Sequence, residues 1–183
     1  FIDSVGIDLY IKMLNNEVLR RRGEFVEELS YDDIKPYINV STHIKDTYVS
    51  NEDLKIEIHR KINTISSRDT YNEIKNELED RFGKLDEDML IYMHEEWFEK
   101  LAHQLNIINV RQTRNYIEMI FDKTLIDYIS LDDLFVKSFS ITPMFRFNKR
   151  GENLVIILDT IKLDKHPVYY LVDLLLLITE NKS

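Results

Sequence analysis

The sequence predicts an α+β fold: a helical first half followed by a small half of mixed sheet and helix. Three observations lead there. Apolar residues recur at three- and four-residue spacing up to about residue 105, then alternate in short runs, then return to a helical pattern near the C-terminal end. Only four glycines and three prolines punctuate the 183 residues, too few for the many tight turns of an all-β sandwich. Apolar residues make up 44% and charged residues 31%, enough to bury a core and a poor composition for disorder. The length suits one domain, and a division into two lobes would fall near residue 106, where the pattern changes.

Each element has its own local signal. Over residues 5–22, Ile7, Tyr10, Ile11, Leu14, Val18 and Leu19 share one helical face. Arg20, Arg21 and Arg22 follow where the helix dipole favours cations, and Gly23 ends the run. Residues 24–36 are acidic and turn-like and read as a surface linker. Residues 37–44 alternate, with Ile38, Val40 and Thr42 on one face, and read as a strand.

A helix is expected over residues 51–65, capped by Ser50 or Asn51, with Leu54, Ile58, Ile62 and Ile65 as its apolar stripe. A second covers residues 69–82, with Ile74 and Leu78 inward and Gly83 as its stop. A third, over residues 86–105, places Asp86, Glu87 and Asp88 at the positive end of its dipole. Its expected buried face is Met89 with Leu90, Met93, Trp97 with Phe98, Leu101 and Leu105. Strands follow at 107–112 and 115–122, and a short helix at 131–138. Two more strands, at 144–148 and 153–159, flank Lys149-Arg150-Gly151, a hairpin signal. Pro167, after His166, opens a last helix that is apolar nearly all round and should therefore be covered on most sides.

Composition and spacing then remove several function classes. The formal net charge is −9, so nucleic-acid phosphates are repelled unless the charge segregates, and a basic protein surface is the more natural partner. The absence of cysteine rules out disulfide scaffolds and thiolate metal sites. Phosphate-cradling loops need closely spaced glycines, and no two glycines here lie within fifteen residues of each other. His94 and His103 are nine residues apart and point to opposite sides of one helix. His43, His59 and His166 belong to separate elements, so histidines are expected to be structural and no metal site is expected. No Gly-x-Ser-x-Gly elbow occurs, and no carboxylate pair stands out from 33 acids. No catalytic residue is therefore nominated.

The longest apolar stretch, residues 168–178, contains Asp173 and is shorter than the roughly 20 residues a bilayer needs. No leader pattern opens the chain, so a cytoplasmic location is expected, with no membrane partner. The first residue, Phe1, is not methionine, and a piece of a longer polypeptide is expected.

Two charged features remain. Glu77 and Asp80 are three residues apart on the second helix, share a face, and are extended one turn back by Glu73. They read either as a solvated face paired with Arg81 or Lys84, or as a docking patch for a basic partner. Basic groups at residues 20–22, Arg60 with Lys61, Arg111 with Arg114, and Lys149 with Arg150 are interspersed with acids. Helix ends and hairpin tips explain them as well as phosphate contact does.

Three segments resemble the C-terminal domain of the bacterial transcription-repair coupling factors, the Mfd or TRCF family. Phe1-Ile2-Asp3-Ser4-Val5-Gly6-Ile7-Asp8-Leu9-Tyr10 is similar to the junction that follows the family's helicase motor. Leu54-Lys55-Ile56-Glu57-Ile58-His59-Arg60-Lys61-Ile62 is similar to its first helix. Glu77-Leu78-Glu79-Asp80-Arg81-Phe82-Gly83-Lys84-Leu85 is close to the family's Glu-Leu-x-Asp-Arg-Phe-Gly-x-Leu-Pro and is the most specific of the three. Ser50 stands at the family's proline, His59 at its tyrosine, and Asp86 where Leu-Pro would be completed.

The resemblance covers residues 1–105. It implies a connecting helix at residues 1–23 and a regulatory domain at 24–183. The parent it implies is an ATP-dependent DNA translocase that displaces stalled RNA polymerase, binds double-stranded DNA and recruits UvrA. ATP and Mg would belong to that motor, with no cofactor in this fragment and no direct nucleic-acid contact. The domain would be non-catalytic and autoinhibitory, docking on the parent's N-terminal UvrA-binding region through Glu77 and Asp80. Two rivals from other classes are a DNA-contacting accessory module and a small acidic metal-dependent enzyme.

Overall fold

The computed structural model describes residues 44–182. The expected helix over 5–22, the acidic linker and all but the last residue of the expected strand at 37–44 lie outside the described residues. Ile44 is buried and belongs to no helix or strand.

Helix α1 spans Glu52–Ile62, and the Asn51 side chain caps it by accepting from the Leu54 N–H. The expected stripe outruns the helix: Ile65 is fully buried although α1 has ended. Helix α2 spans Arg68–Phe82 and opens on a capping box in which Ser67 and Thr70 accept from each other's backbone N–H. Helix α3, Glu87–Gln104, is capped by Asp86. Asn106 then turns the chain into the sheet at φ 54°, a left-handed conformation that asparagine tolerates better than most residues.

The sheet is antiparallel throughout, in the order β1-β2-β4-β3. Strands β1 (Ile107–Gln112) and β2 (Tyr116–Phe121) pair through a register shift between Ile107 and Asn109, which leaves Ile108 exposed. A 3₁₀ turn at Lys123–Asp127, for which the sequence offered no signal, leads to helix α4 at Leu131–Ser138. Strands β3 (Phe145–Arg150) and β4 (Asn153–Asp159) form the expected hairpin. Gly151 at φ 65° occupies the first position of its two-residue loop, where a II′ turn needs positive φ. Helix α5 spans Pro167–Glu180.

Alternation decides the faces of the sheet. Ile117, Met119 and Phe121 of β2 and Leu154, Ile156 and Leu158 of β4 point inward and are essentially unexposed. They join one buried cluster with Ile58 and Leu78 of the helix pair, Met93 and Trp97 of α3, and Leu171 and Leu175 of α5. Helices α3 and α5 pack on each other, so the C-terminal element returns to the helical half. Eight of the fourteen residues of α5 are buried, as its all-round apolar pattern required. Each such leucine contributes about 1.5–3 kcal/mol of burial.

Candidate functional site

The segment 77–85 shows why its residue types occur in that order. Leu78 is fully buried and holds α2 against the core. Phe82 is half-buried, 6.3 Å from the Tyr48 ring, with the Arg81 guanidinium 4.8 Å over its face. The Tyr48 hydroxyl lies within donating distance of the carbonyls of Gly83 (2.9 Å) and Leu78 (3.2 Å) and so ties the segment before α1 to the end of α2. Gly83 stops the helix at φ 98° and ψ 174°, a region open essentially to glycine alone. Leu85 then re-enters the core. With these positions turned inward, Glu77 and Asp80 face solvent, and with Asn76 and Glu79 they line an open surface depression.

The two acids differ in their surroundings. Glu77 pairs with Lys61 of α1 at 2.8 Å and lies 4.0 Å from Arg81. Arg81 donates to Glu57 of α1 at 2.8 Å, and that hydrogen bond holds the Glu57 carboxyl below its ordinary value. Lys61, Glu77, Arg81 and Glu57 therefore form a charged network that ties α1 to α2. Asp80 makes no ion pair or side-chain hydrogen bond among the described residues, and Lys84 supplies none to either acid. Of the two pairings expected from the sequence, Arg81 is present at the limit of contact. The principal partner, Lys61, comes from the neighbouring helix.

Two of the described histidines, His59 and His94, are packed into the interior. His59 is fully buried, with Nδ1 hydrogen-bonded to the Tyr92 hydroxyl and Nε2 3.9 Å from Glu96. His94 donates Nδ1–H to the Leu90 carbonyl at 2.8 Å and sits edge-on to Tyr71 and Tyr169. Burial pushes its pKa down, which keeps the ring neutral where α2, α3 and α5 meet. His103 is exposed on the far side of α3, as the nine-residue spacing required. No group of three or more histidine, aspartate or glutamate side chains among the described residues is arranged to hold a metal ion. No described helix is long and apolar enough to cross a membrane.

Sequence reasoning also missed a buried charged pair. Glu118 of β2 is buried, and both of its oxygens accept from Arg150 of β3, at 3.0 and 3.2 Å. A lone glutamate in an otherwise apolar strand was the available signal.

Comparison with known proteins gives consistent matches. The TRCF domain family model matches residues 38–128. The transcription-repair-coupling factor of Staphylococcus haemolyticus is 39% identical over 83 residues, which is 45% of this chain and 7% of that protein. That of Borreliella burgdorferi is 31% identical over 118 residues, 64% of this chain and 10% of that protein. This chain thus spans a tenth or less of the length of these relatives. A crystal structure of the C-terminal domain of a transcription-repair coupling factor superposes with a TM-score of 0.66 at 25% identity. That match covers 80% of this chain and 93% of the other.

Proposed function

Since the chain belongs to the TRCF domain family and has the fold of a transcription-repair coupling factor C-terminal domain, we propose that it is a non-catalytic regulatory domain. In this reading it restrains its parent by docking the acidic face of α2 onto a basic surface in the parent's N-terminal region. The surface covered is the one that recruits UvrA, so docking masks recruitment. The parent, a translocase that moves on double-stranded DNA with ATP and Mg, displaces stalled RNA polymerase once the contact opens.

One observation carries the reading. Two acids one turn apart are presented to solvent on a helix locked from beneath by Leu78, Phe82 and Gly83, and one of them, Asp80, has its charge unspent among the described residues. A rigid helix presenting carboxylates about 5–6 Å apart suits two guanidinium or ammonium partners. Such a contact supplies coupling of about 1–3 kcal/mol, or roughly 5–150-fold in accessibility of the covered surface.

The test is Glu77→Lys with Asp80→Lys in the full-length parent. The expected outcome is tighter UvrA binding and a raised basal ATPase than in wild type, with the difference shrinking as salt rises, because screening loosens the wild-type contact. If neither changes while the domain remains folded, these residues are not the latch.

A further inference from the structure

The strand order leaves β3 at one edge of the sheet, paired among the described residues with β4 alone. Just before the first β3–β4 pair, the Asp159 N–H donates to the Met144 carbonyl at 3.1 Å, and the register then runs on without a bulge. Alternation along an antiparallel pair therefore assigns the bonds to β4 to Arg146, Asn148 and Arg150. Phe145, Phe147 and Lys149 turn their backbone groups the other way, toward the open edge. The Lys149 N–H is taken up by the Asn148 side chain at 2.9 Å. The N–H and C=O groups of Phe145 and Phe147 have no partner among the described residues.

Beside this edge the helices reach past the sheet. Phe147 lies on the inner side of β3 with the buried Phe145, and its ring meets Phe135 of α4 edge-on at 5.5 Å. Phe135 meets Phe139 in the same manner at 5.1 Å. The buried Leu134 and the packing of α4 on α5 hold this helix from behind. Phe135, Val136 and Phe139 nevertheless remain 40%, 67% and 51% exposed. Single exposed apolar residues are ordinary, but three rings in contact beside an unpaired strand edge mark an interaction site.

Charge decides the occupant. Strand β3 carries Arg146, Lys149 and Arg150, all exposed, and no acid. Two copies paired edge to edge would set these cations beside one another, which disfavours that pairing. An acidic strand meets attraction instead. A helix would leave the open N–H and C=O groups of Phe145 and Phe147 unused, whereas an added strand pairs with them.

We propose that the β3 edge receives an extended segment of a partner protein in which acidic and apolar residues alternate. Its backbone pairs with Phe145 and Phe147. Its apolar side chains lie on Phe135, Phe139 and Phe147, and its carboxylates meet Arg146 and Lys149. This surface is built from elements other than the α1–α2 face and does not depend on the role of Glu77 and Asp80.

The test uses the whole 183-residue chain and a labelled peptide of about nine residues alternating valine and glutamate, long enough to span β3. Binding is read by fluorescence anisotropy. The peptide is expected to bind and to slow amide hydrogen exchange at Phe145 and Phe147, while Arg146 and Asn148 are already slow without it. Methylating the peptide nitrogens that pair with β3, or replacing its glutamates by lysines, is expected to weaken binding about tenfold or more. Arg146→Glu with Lys149→Glu, and separately Phe135→Ser with Phe139→Ser, are expected to do the same. Glu77→Lys with Asp80→Lys leaves binding within about twofold, since distant sites act independently. Circular dichroism checks folding, and Arg146→Gln with Lys149→Gln replaces the reversal if the reversal unfolds the chain. Absence of binding, equal binding of the methylated or lysine peptide, unchanged exchange at Phe145 and Phe147, or unchanged affinity in the folded variants overturns the proposal. So does a chain that dimerises in sedimentation and loses its dimer in the Phe135→Ser, Phe139→Ser variant, because a second copy then holds the edge.

Discussion

Reversing Glu77 and reversing Asp80 should have different consequences for the domain itself, and the difference measures how far Glu77 is already engaged. Glu77→Lys removes the 2.8 Å pair with Lys61 and leaves a third cation beside Lys61 and Arg81. The side chains of Lys61 and Glu77 are 31% and 43% exposed, so solvent screens the pair and its worth lies within the roughly 0.2–1 kcal/mol of surface ion pairs. Replacing attraction by repulsion at 3–4 Å in a watery dielectric adds a comparable amount. The total is about 1 kcal/mol, which for a chain of this size lowers Tm by about 2–4 °C. Asp80→Lys breaks no pair among the described residues and should stay within about 0.5 kcal/mol of wild type.

Thermal unfolding of the two single variants, at low and at moderate salt, separates these outcomes. The Glu77→Lys deficit should shrink as salt rises, because the Debye length falls to about 10 Å at 0.1 M. Adding Lys61→Glu to Glu77→Lys should recover part of the loss through the swapped pair, with Arg81 preventing full recovery. If Asp80→Lys destabilises as much as Glu77→Lys, or if Glu77→Lys is silent at low salt, the charged network is not what the geometry indicates. The same network affects the proposed latch. Glu77 must exchange Lys61 for its docking partner, whereas Asp80 gives up nothing comparable, so Asp80→Ala should release docking at least as much as Glu77→Ala.

Two further predictions concern the frame that presents this face. His94 is buried and its pKa is depressed below the 6.5 of a free histidine, so the unfolded chain takes up the proton first as pH falls. The contribution of His94 is then complete above about pH 6.5 and is lost as pH drops below it toward the folded-state pKa. Tm should fall between pH 7 and pH 5, and His94→Gln should flatten that slope while lowering Tm at pH 7. Gly83→Ala meets no atom within 4 Å, so its cost is purely conformational at φ 98°, about 1–3 kcal/mol. Gly83→Asn should be no better tolerated, because its ψ of 174° lies outside the left-handed helical region that asparagine favours. Both are checked by denaturant unfolding.

Local signals placed the described helices and strands to within a few residues, since caps and periodicity act over one or two turns. Asp86 marks a helix start, Gly83 a stop and Gly151 a hairpin, each through groups a few residues away, whereas the Ser67 cap of α2 was not singled out. The 3₁₀ turn at Lys123–Asp127 escaped notice because so short a segment has no period. The outward placement of Glu77 and Asp80 was legible from Ile74 and Leu78, whose inward face fixes the opposite one.

Pairing across the fold was not legible. Lys61 reaches Glu77 because α1 and α2 pack side by side, and nothing in the spacing of either helix specifies that partner. Arg111 and Arg146 are 35 residues apart in the chain. They share a row only because the strand order β1-β2-β4-β3 sets them on opposite edges in matching register. Burial of Glu118 likewise required Arg150 to arrive from another hairpin. The sequence by itself determined which residues are helical, which extended and which face of each is apolar, because those depend on neighbours a few residues away. Which charges meet, and which surfaces they build, was decided by the long-range packing of those apolar faces.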